Sequence, residues 1–255
     1  MQIINPSRFQ ALIEAACSAT FSGWDFTWLS GRMLEDDPPW DYKALVLEHL
    51  EGVTSLLDMG TGGGEFLASL PALPPETHAT ESYPPNQVIG RSRLESLGVQ
   101  VHLTTEGAPL PFTSRFFDRV INRHESYSPA EVYRLLKPGG VFITQQVGGL
   151  DNLEINQALE DCVSFPFTGW SLYGAATDLE DAGFTVERAD SAALKTQFTD
   201  IGALVYYPKA VPWQVEGFSV ERYQEQLIRL HNFIESRGAF VTTAHRFLIV
   251  ARKEV

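Results

Sequence analysis

Cysteine is nearly absent. Cys17 and Cys162 are the only two in 255 residues, far apart and without a CxxC-type companion, so they can neither staple the chain nor supply a zinc site. Reduced thiols in the cytoplasm are the simplest expectation. Long apolar runs are missing too: none approaches the roughly 18 residues of a membrane-spanning helix. Residues 1–9 already contain Asn5, Pro6 and Arg8, not a basic-then-apolar targeting signal. Positive charge is scarce, with 19 Lys and Arg against 32 Asp and Glu and a net charge of -13. Such a body repels phosphate backbones, and its densest basic stretch, residues 91–93, is short, which weighs against DNA or RNA as substrate. Repeats and low-complexity linkers are also lacking.

What is present is alternation. From about residue 40, helical and strand patterns take turns, the signature of a mostly parallel sheet covered on both faces. Strand patterns fall at 53–57, 78–81, 99–103, 117–122, 141–147, 184–194 and 240–251. Helical patterns fall at 42–50, 65–70, 84–97, 128–136, 152–163, 171–182 and 221–236. The fold class expected is a doubly wound α/β domain with a mostly parallel, seven-stranded sheet. Residues 1–39 form an N-terminal helical cap or lid on a 40–255 domain, in one structural unit, and about 195–218 is an insertion before the last helix and strand.

The chemistry begins at Asp58-Met59-Gly60-Thr61-Gly62-Gly63-Gly64-Glu65. Glycines between a first strand and a helix let a ligand approach backbone that side chains would block, at the strand ends where open α/β sheets bind ligands. A triphosphate loop needs Lys and then Ser or Thr after its last glycine, but Glu65-Phe66 follows here. A dinucleotide loop needs G-x-G-x-x-G, and Glu65 occupies the completing position, where its carboxylate would face a pyrophosphate. A ligand without phosphates suits this loop better.

These residues resemble the first motif of class I S-adenosylmethionine-dependent methyltransferases, in the type 11 or ubiquinone-biosynthesis-like group. Glu81 ends the second strand, 23 residues after Asp58, where that family places an acid on the ribose hydroxyls; a carboxylate accepts from a vicinal diol with two oxygens. Glu106-Gly107-Ala108-Pro109-Leu110-Pro111-Phe112 resembles the family's acid-then-Leu-Pro-Phe stretch, with Glu106 on the adenine amino group. Residues 116–122 resemble its fourth strand and residues 135–141 the turn into its fifth. The resemblance covers about residues 42–148 and implies S-adenosylmethionine as cofactor, S-adenosylhomocysteine as product and no metal. The cofactor residues it implies are Asp58, Gly60, Thr61, Gly62, Glu81, Ser82, Glu106, Gly107 and Asn122; outside the resemblance, Arg32, set among the aromatics of the N-terminal segment, is a candidate partner for the cofactor's carboxylate.

Past strand four the chain reads Asn122-Arg123-His124-Glu125-Ser126-Tyr127. His124 is the candidate base, Glu125 the group that orients its imidazole, and Arg123 a holder of a substrate carboxylate. The Asn-Pro-Pro-Tyr of amine- and nucleobase-methylating branches is absent, which favours O- or C-methylation. Gln145 and Gln146 alternate, so one faces the pocket. Trp28 with other cap aromatics (Phe21, Trp24, Phe26, Trp40) suggests a lid. Trp28, Arg123, Tyr127, Gln145, Tyr206 and Trp213 are candidate acceptor-pocket residues, although aromatics in the insertion equally fit a homodimer contact. The expected function is a cytoplasmic methyltransferase acting on a small-molecule acceptor, with no membrane partner. Two alternatives stand beside it: a tRNA or rRNA methyltransferase using a patch of Arg119, Arg123, Arg134 and Lys137, and a non-catalytic S-adenosylmethionine-binding module.

Overall fold

The computed structural model describes residues 2–22, 24–105, 107–163 and 167–254. In chain order the elements are α1 (Pro6–Ser18), β1 (Met33–Glu35), α2 (Tyr42–Glu48), β2 (Ser55–Met59), α3 (Glu65–Ala68), β3 (Glu76–Glu81), α4 (Pro84–Leu94), β4 (Gln100–Leu103), β5 (Phe117–Arg123), α5 (Pro129–Leu135), β6 (Leu136–Val147), α6 (Leu153–Leu159), α7 (Leu172–Asp181), β7 (Phe184–Phe198), α8 (Ile201–Ala210), α9 (Gln224–Arg237) and β8 (Phe240–Lys253). Local chemistry starts the helices. Asp41 accepts the Ala44 N–H at 2.9 Å to cap α2, and Pro84-Pro85 open α4 where a missing N–H costs little. Ser128 caps α5 ahead of Pro129.

The strands follow the hydrogen-bonding order β1-β7-β8-β6-β5-β2-β3-β4. Among the described residues the sheet therefore has eight strands, not seven; the added one, β1, comes from the segment expected to be a helical cap. Pairs β2·β3, β2·β5, β3·β4 and β5·β6 are parallel, whereas β6·β8 and β1·β7 are antiparallel. From β2 the chain steps outward to β3 and β4, then returns to the other side of β2 as β5. That reversal makes the carboxyl ends of β2 and β5 a topological switch point, where ligands bind in open sheets of this kind.

Two compact units are distinguished, each gathered from separate stretches. The second unit comprises Pro38–Gly148, Gly169–Ala192 and Arg246–Val255. Its sheet separates two apolar cores: Leu56, Leu67, Leu94, Ile121, Ile143 and Leu248 on one face, and Leu57, Phe117, Val120, Phe142, Leu179 and Ile249 on the other. At the amino ends of β2 and β5, Asp118 accepts from the Thr54 and Ser55 backbone and hydroxyl groups and from Lys137 at 2.9 Å.

The first unit comprises Met1–Asp37, Gly149–Thr168 and Ala193–His245, so residues 1–37 group with later segments of the chain. Residues 195–218, expected as an insertion, hold the end of β7 and the helix α8, in which every residue except Lys209 is buried. A helix apolar on all sides is a core element, and α8 packs with Phe9, Ile13, Leu29, Ile155, Leu227 and Leu230. Asp200 caps it through the Ala203 N–H at 2.9 Å. Lys209 donates to the Ala16 and Cys17 carbonyls at the end of α1, at 2.6 and 2.8 Å.

Candidate functional site

The parallel register sets Met59 beside Thr80 and Asn122, Asn122 beside Thr144, and Arg123 beside Gln145. Facing residues in a parallel pair share a side of the sheet, so Arg123 and Gln145 project to one face, Asn122 and Thr144 to the other. The carboxyl end of β2 then turns through Gly60, Gly62 and Gly64 at φ values of +70°, +60° and +80°, a left-handed run that glycine adopts without a Cβ penalty. A Cβ at Gly62 would meet nothing within 4 Å, whereas one at Gly60 would fall on Glu125 Cγ. Gly60 thus receives a side chain of the protein itself, and open space lies over Gly62.

Two carboxylates flank the loop. Glu81 is buried and fixed by two backbone donors: the Gly62 N–H reaches Oε2 and the Tyr83 N–H reaches Oε1, each at 2.8 Å. The loop amide that would greet a phosphate is therefore already committed to an acid. Each Glu81 oxygen keeps a further acceptor site. Asp58 is also buried; desolvation pushes its pKa up to about 7, against the opposing pull of the Thr61 hydroxyl and Arg123, with the Glu81 charge adding to the rise. Thr61 Oγ1 makes no well-formed hydrogen bond, yet the hydroxyl favours the Asp58 charge.

Among the described residues, three buried polar side chains beside this crevice hold unpaired atoms: Thr61 Oγ1, the Asn122 amide nitrogen and both amide atoms of Asn86 on α4. Asn122 Oδ1 accepts from Gln146 Nε2 at 2.6 Å and Thr144 Oγ1 at 3.2 Å, and its carbonyl accepts from the Tyr42 hydroxyl at 3.1 Å. Paired acids, an open glycine and donors without partners fit a ligand that carries hydroxyls and positive charge. They do not fit a polyphosphate.

His124 sits just past β5 at φ +63°, a backbone state uncommon for a non-glycine residue. Its N–H donates to the Gln145 carbonyl at 2.8 Å, which continues the β5·β6 pairing by one step beyond Arg123. Its Nε2 meets the Gln145 side-chain amide at 3.2 Å, and Trp40 Nε1 donates to Gln145 Oε1 at 2.8 Å. His124 is accessible to solvent, yet its imidazole is closely surrounded by protein. Desolvation, with positive charge at Arg246 and Arg123, lowers the imidazole pKa to about 3. The ring is therefore neutral at pH 7. Its orienting partner is Gln145 and not Glu125, whose side chain lies against Gly60.

Other expected site residues are placed as follows. Ser82 is half-buried beside Glu81, and Gly107 takes φ +74°; Glu106 lies outside the described residues. Arg123 is exposed, with its guanidinium 5.2 Å from the Phe66 ring. Tyr127 packs against Phe142 and Trp170 as part of a core. Arg32 departs from its expected role on a cofactor carboxylate: in the first unit it forms a two-pronged ion pair with Asp200 at 2.6 and 2.7 Å and stacks on Trp28 at 3.8 Å. Trp28 in turn stacks on Tyr206 at 4.5 Å, and Trp213 meets Trp24 edge-on. Trp40, expected in the lid, belongs to the second unit and is buried in its core. Of the cations expected in an RNA patch, Arg134 is paired with Glu131, Lys137 with Asp118, and Arg119 with the His49 carbonyl.

Sequence reasoning missed Trp40 as a partner of Gln145, the Tyr42 hydroxyl, and Asn86. Asn86 carried a signal: a polar residue on the helix face that also bears Gly90, one turn on, where a Cβ would meet the Gly62 carbonyl at 3.0 Å.

Neither a family model nor a curated protein matches the chain. Solved structures do. A Bacillus halodurans C-125 protein classed as a candidate methyltransferase aligns with a TM-score of 0.60 at 19% identity, over 84% of this chain and 99% of that one. The YcgJ protein of Bacillus subtilis aligns with a TM-score of 0.59 at 16% identity, over 84% and 98%. The [4+2]-cyclase SpnF aligns with a TM-score of 0.50 at 16% identity, over 96% and 93%. The chain has the class I methyltransferase fold.

Proposed function

We propose that this chain is an S-adenosylmethionine-dependent methyltransferase acting on a small-molecule acceptor, with O- or C-methylation ahead of N-methylation. One observation carries the reading: the glycine loop at the switch point is walled by the buried acids Asp58 and Glu81, and its Gly62 N–H is spent on Glu81. A nucleoside bearing an ammonium and a sulfonium in place of phosphates matches that wall. Glu81 would take the ribose hydroxyls, with Ser82 and Gly107 near the nucleoside. Thr61, the Gly62 carbonyl and Asn122 would offer polar contacts along the loop, and Asp58 would face the cationic end.

When bound, S-adenosylmethionine supplies a methyl group on a positively charged sulfur. The protein's share is alignment, which can contribute roughly 7–11 kcal/mol. Arg123, Gln145 and His124 share the strand ends where an acceptor would lie, and their polar groups suit an oxygen-bearing molecule. A nucleic-acid acceptor is disfavoured because the cations at Arg119, Arg134 and Lys137 are already engaged within the protein.

Calorimetry with S-adenosylmethionine, S-adenosylhomocysteine and NAD tests the reading. Heat is expected with the first two and none with the third; heat with NAD alone would end it. A metabolite screen with labelled methyl donor follows. Cofactor binding without transfer to any acceptor would favour a non-catalytic module or another reaction on this fold, which a [4+2]-cyclase also adopts.

A further inference from the structure

The amide of Gln145 sits between two rings, and one of them leaves no choice of orientation. Trp40 Nε1–H can only donate, so the atom it meets at 2.8 Å must be the Gln145 oxygen. The Gln145 NH2 group then faces His124 Nε2 at 3.2 Å. An NH2 group is a donor, so Nε2 must accept, and the proton of the neutral ring must be on Nδ1. The reversed amide would set N–H against N–H at the indole. Both Trp40 and Gln145 are buried, at 8% exposure each, so water cannot easily substitute for either partner.

We propose that Trp40 and Gln145 are positioning residues that lock His124 as the neutral Nδ1–H tautomer, so that the ring offers a hydrogen-bond donor, not a base, to an oxygen of the acceptor. The backbone of His124 is held as well: its N–H is bound to the Gln145 carbonyl at 2.8 Å, and its φ of +63° turns the chain at that point. A side chain kept in an uncommon backbone state by a three-residue relay has a defined direction. Among the described residues Nδ1 has no hydrogen-bond partner, and the residue is accessible to solvent. Protonation at Nε2 would drive a new N–H into the Gln145 NH2 group, so the relay opposes the charged form. The neighbouring positive charges of Arg246 and Arg123 act in the same direction. The class of acceptor that fits is one whose nucleophile needs no proton removed by His124, and which carries a carbonyl, carboxylate, enolate or phenolate oxygen for Nδ1–H to hold. This last step rests on the methyltransferase reading; the tautomer lock does not.

The lock is tested on the ligand-free protein by 15N NMR of its histidines at pH 7, with the His124 signals identified by their loss in His124→Asn. The expected result is Nε2 resonating as an unprotonated imine nitrogen and Nδ1 as a protonated one. A protonated Nε2 would overturn the proposal. Gln145→Glu replaces the NH2 group by an acceptor and should move the proton to Nε2; Trp40→Phe frees the amide to rotate and should give a mixture of tautomers. An unchanged tautomer in both folded variants would show that the relay does not set it. Once an acceptor is found, His124→Asn supplies an amide donor near the position of Nδ1 and no base, in a residue that tolerates positive φ. It should keep turnover within about tenfold of the parent, whereas His124→Ala should lose about a hundredfold. Equal losses in both variants would assign the ring the role of a base and refute the donor role. Failure to bind S-adenosylmethionine would remove the cofactor reading while leaving the NMR result intact, so the two fail separately.

Discussion

Asp58→Asn should make the ligand-free protein more stable, and increasingly so as the pH rises. Asp58 is buried at the end of β2, with a pKa raised by desolvation to about 7, against about 3.9 in an unfolded chain. A group whose folded pKa is raised favours folding most below its unfolded pKa, and loses that advantage as pH rises through the folded value. The gap between the two values corresponds to about 4 kcal/mol at high pH. At pH 5.5 the penalty is about 2 kcal/mol, because the unfolded carboxyl has ionised while the folded one has not; by pH 8.5 it approaches about 4 kcal/mol. Asparagine carries no such penalty. Urea unfolding of both proteins at pH 5.5 and 8.5 should therefore show the difference in unfolding free energy growing by about 2 kcal/mol in the variant's favour. A difference that stays constant with pH would refute the buried-acid reasoning. The same charge should serve a cationic ligand, so S-adenosylmethionine binding should tighten between pH 5.5 and 8.5 in the parent and stay flat in Asp58→Asn.

Four further outcomes follow from the geometry. Glu81→Ala should weaken S-adenosylmethionine binding by about 1–3 kcal/mol, and calorimetry returning the parental Kd would remove Glu81 from the ribose. Gly60→Ala should cost about 2–3 kcal/mol of stability, from its φ of +70° and overlap with Glu125; urea unfolding should find part of that cost recovered in the Glu125→Ala background, and none recovered would mean the overlap is not real. Asp118→Asn should destabilise by about 2–3 kcal/mol at pH 7 through its lost charge-assisted hydrogen bonds. Burial alone would raise the Asp118 pKa, but Lys137, Thr54 and Ser55 outweigh it and hold it below the usual range, so the parent's advantage should shrink as pH falls below about 4. Arg32→Ala should lower stability by about 2–4 kcal/mol, since it strips the partner from Asp200, yet leave the S-adenosylmethionine Kd within about twofold; a tenfold weaker Kd would return Arg32 to the cofactor.

The parts of the fold legible in the sequence are those whose cause is local. Gly60, Gly62 and Gly64 are there because the turn after β2 needs positive φ three times, and the strand runs from β2 to β6 show because both faces of the sheet are buried. The rest depends on partners distant in the chain. Residues 201–208 lack a helical stripe because α8 is buried all round there, so periodicity has nothing to report; Asp200 as a cap before that uncharged eight-residue run is the usable clue. The short β1 exists through its pairing with residues 196–198, and three residues cannot announce that.

At the site, adjacency in sequence misleads for a physical reason. His124 and Glu125 look like a base and its orienting acid, but the left-handed φ at His124 turns the chain between them. Glu125 is carried onto Gly60, with its carbonyl held by Gln146 Nε2 at 3.0 Å, and the imidazole is left to Gln145. The two glutamines are divided by the pleat: Gln145 faces with Arg123 and reaches Trp40, while Gln146 turns to the other side, where its amide bonds to Asn122 and Thr144. Strand alternation says that one glutamine serves each face, yet only the folded sheet says which. A tryptophan 105 residues away from Gln145 then fixes the direction of its amide. The chemistry offered by His124 is thus set not by its own identity or its sequence neighbours, but by a donor-only indole at the far end of a relay that exists only once the sheet is paired.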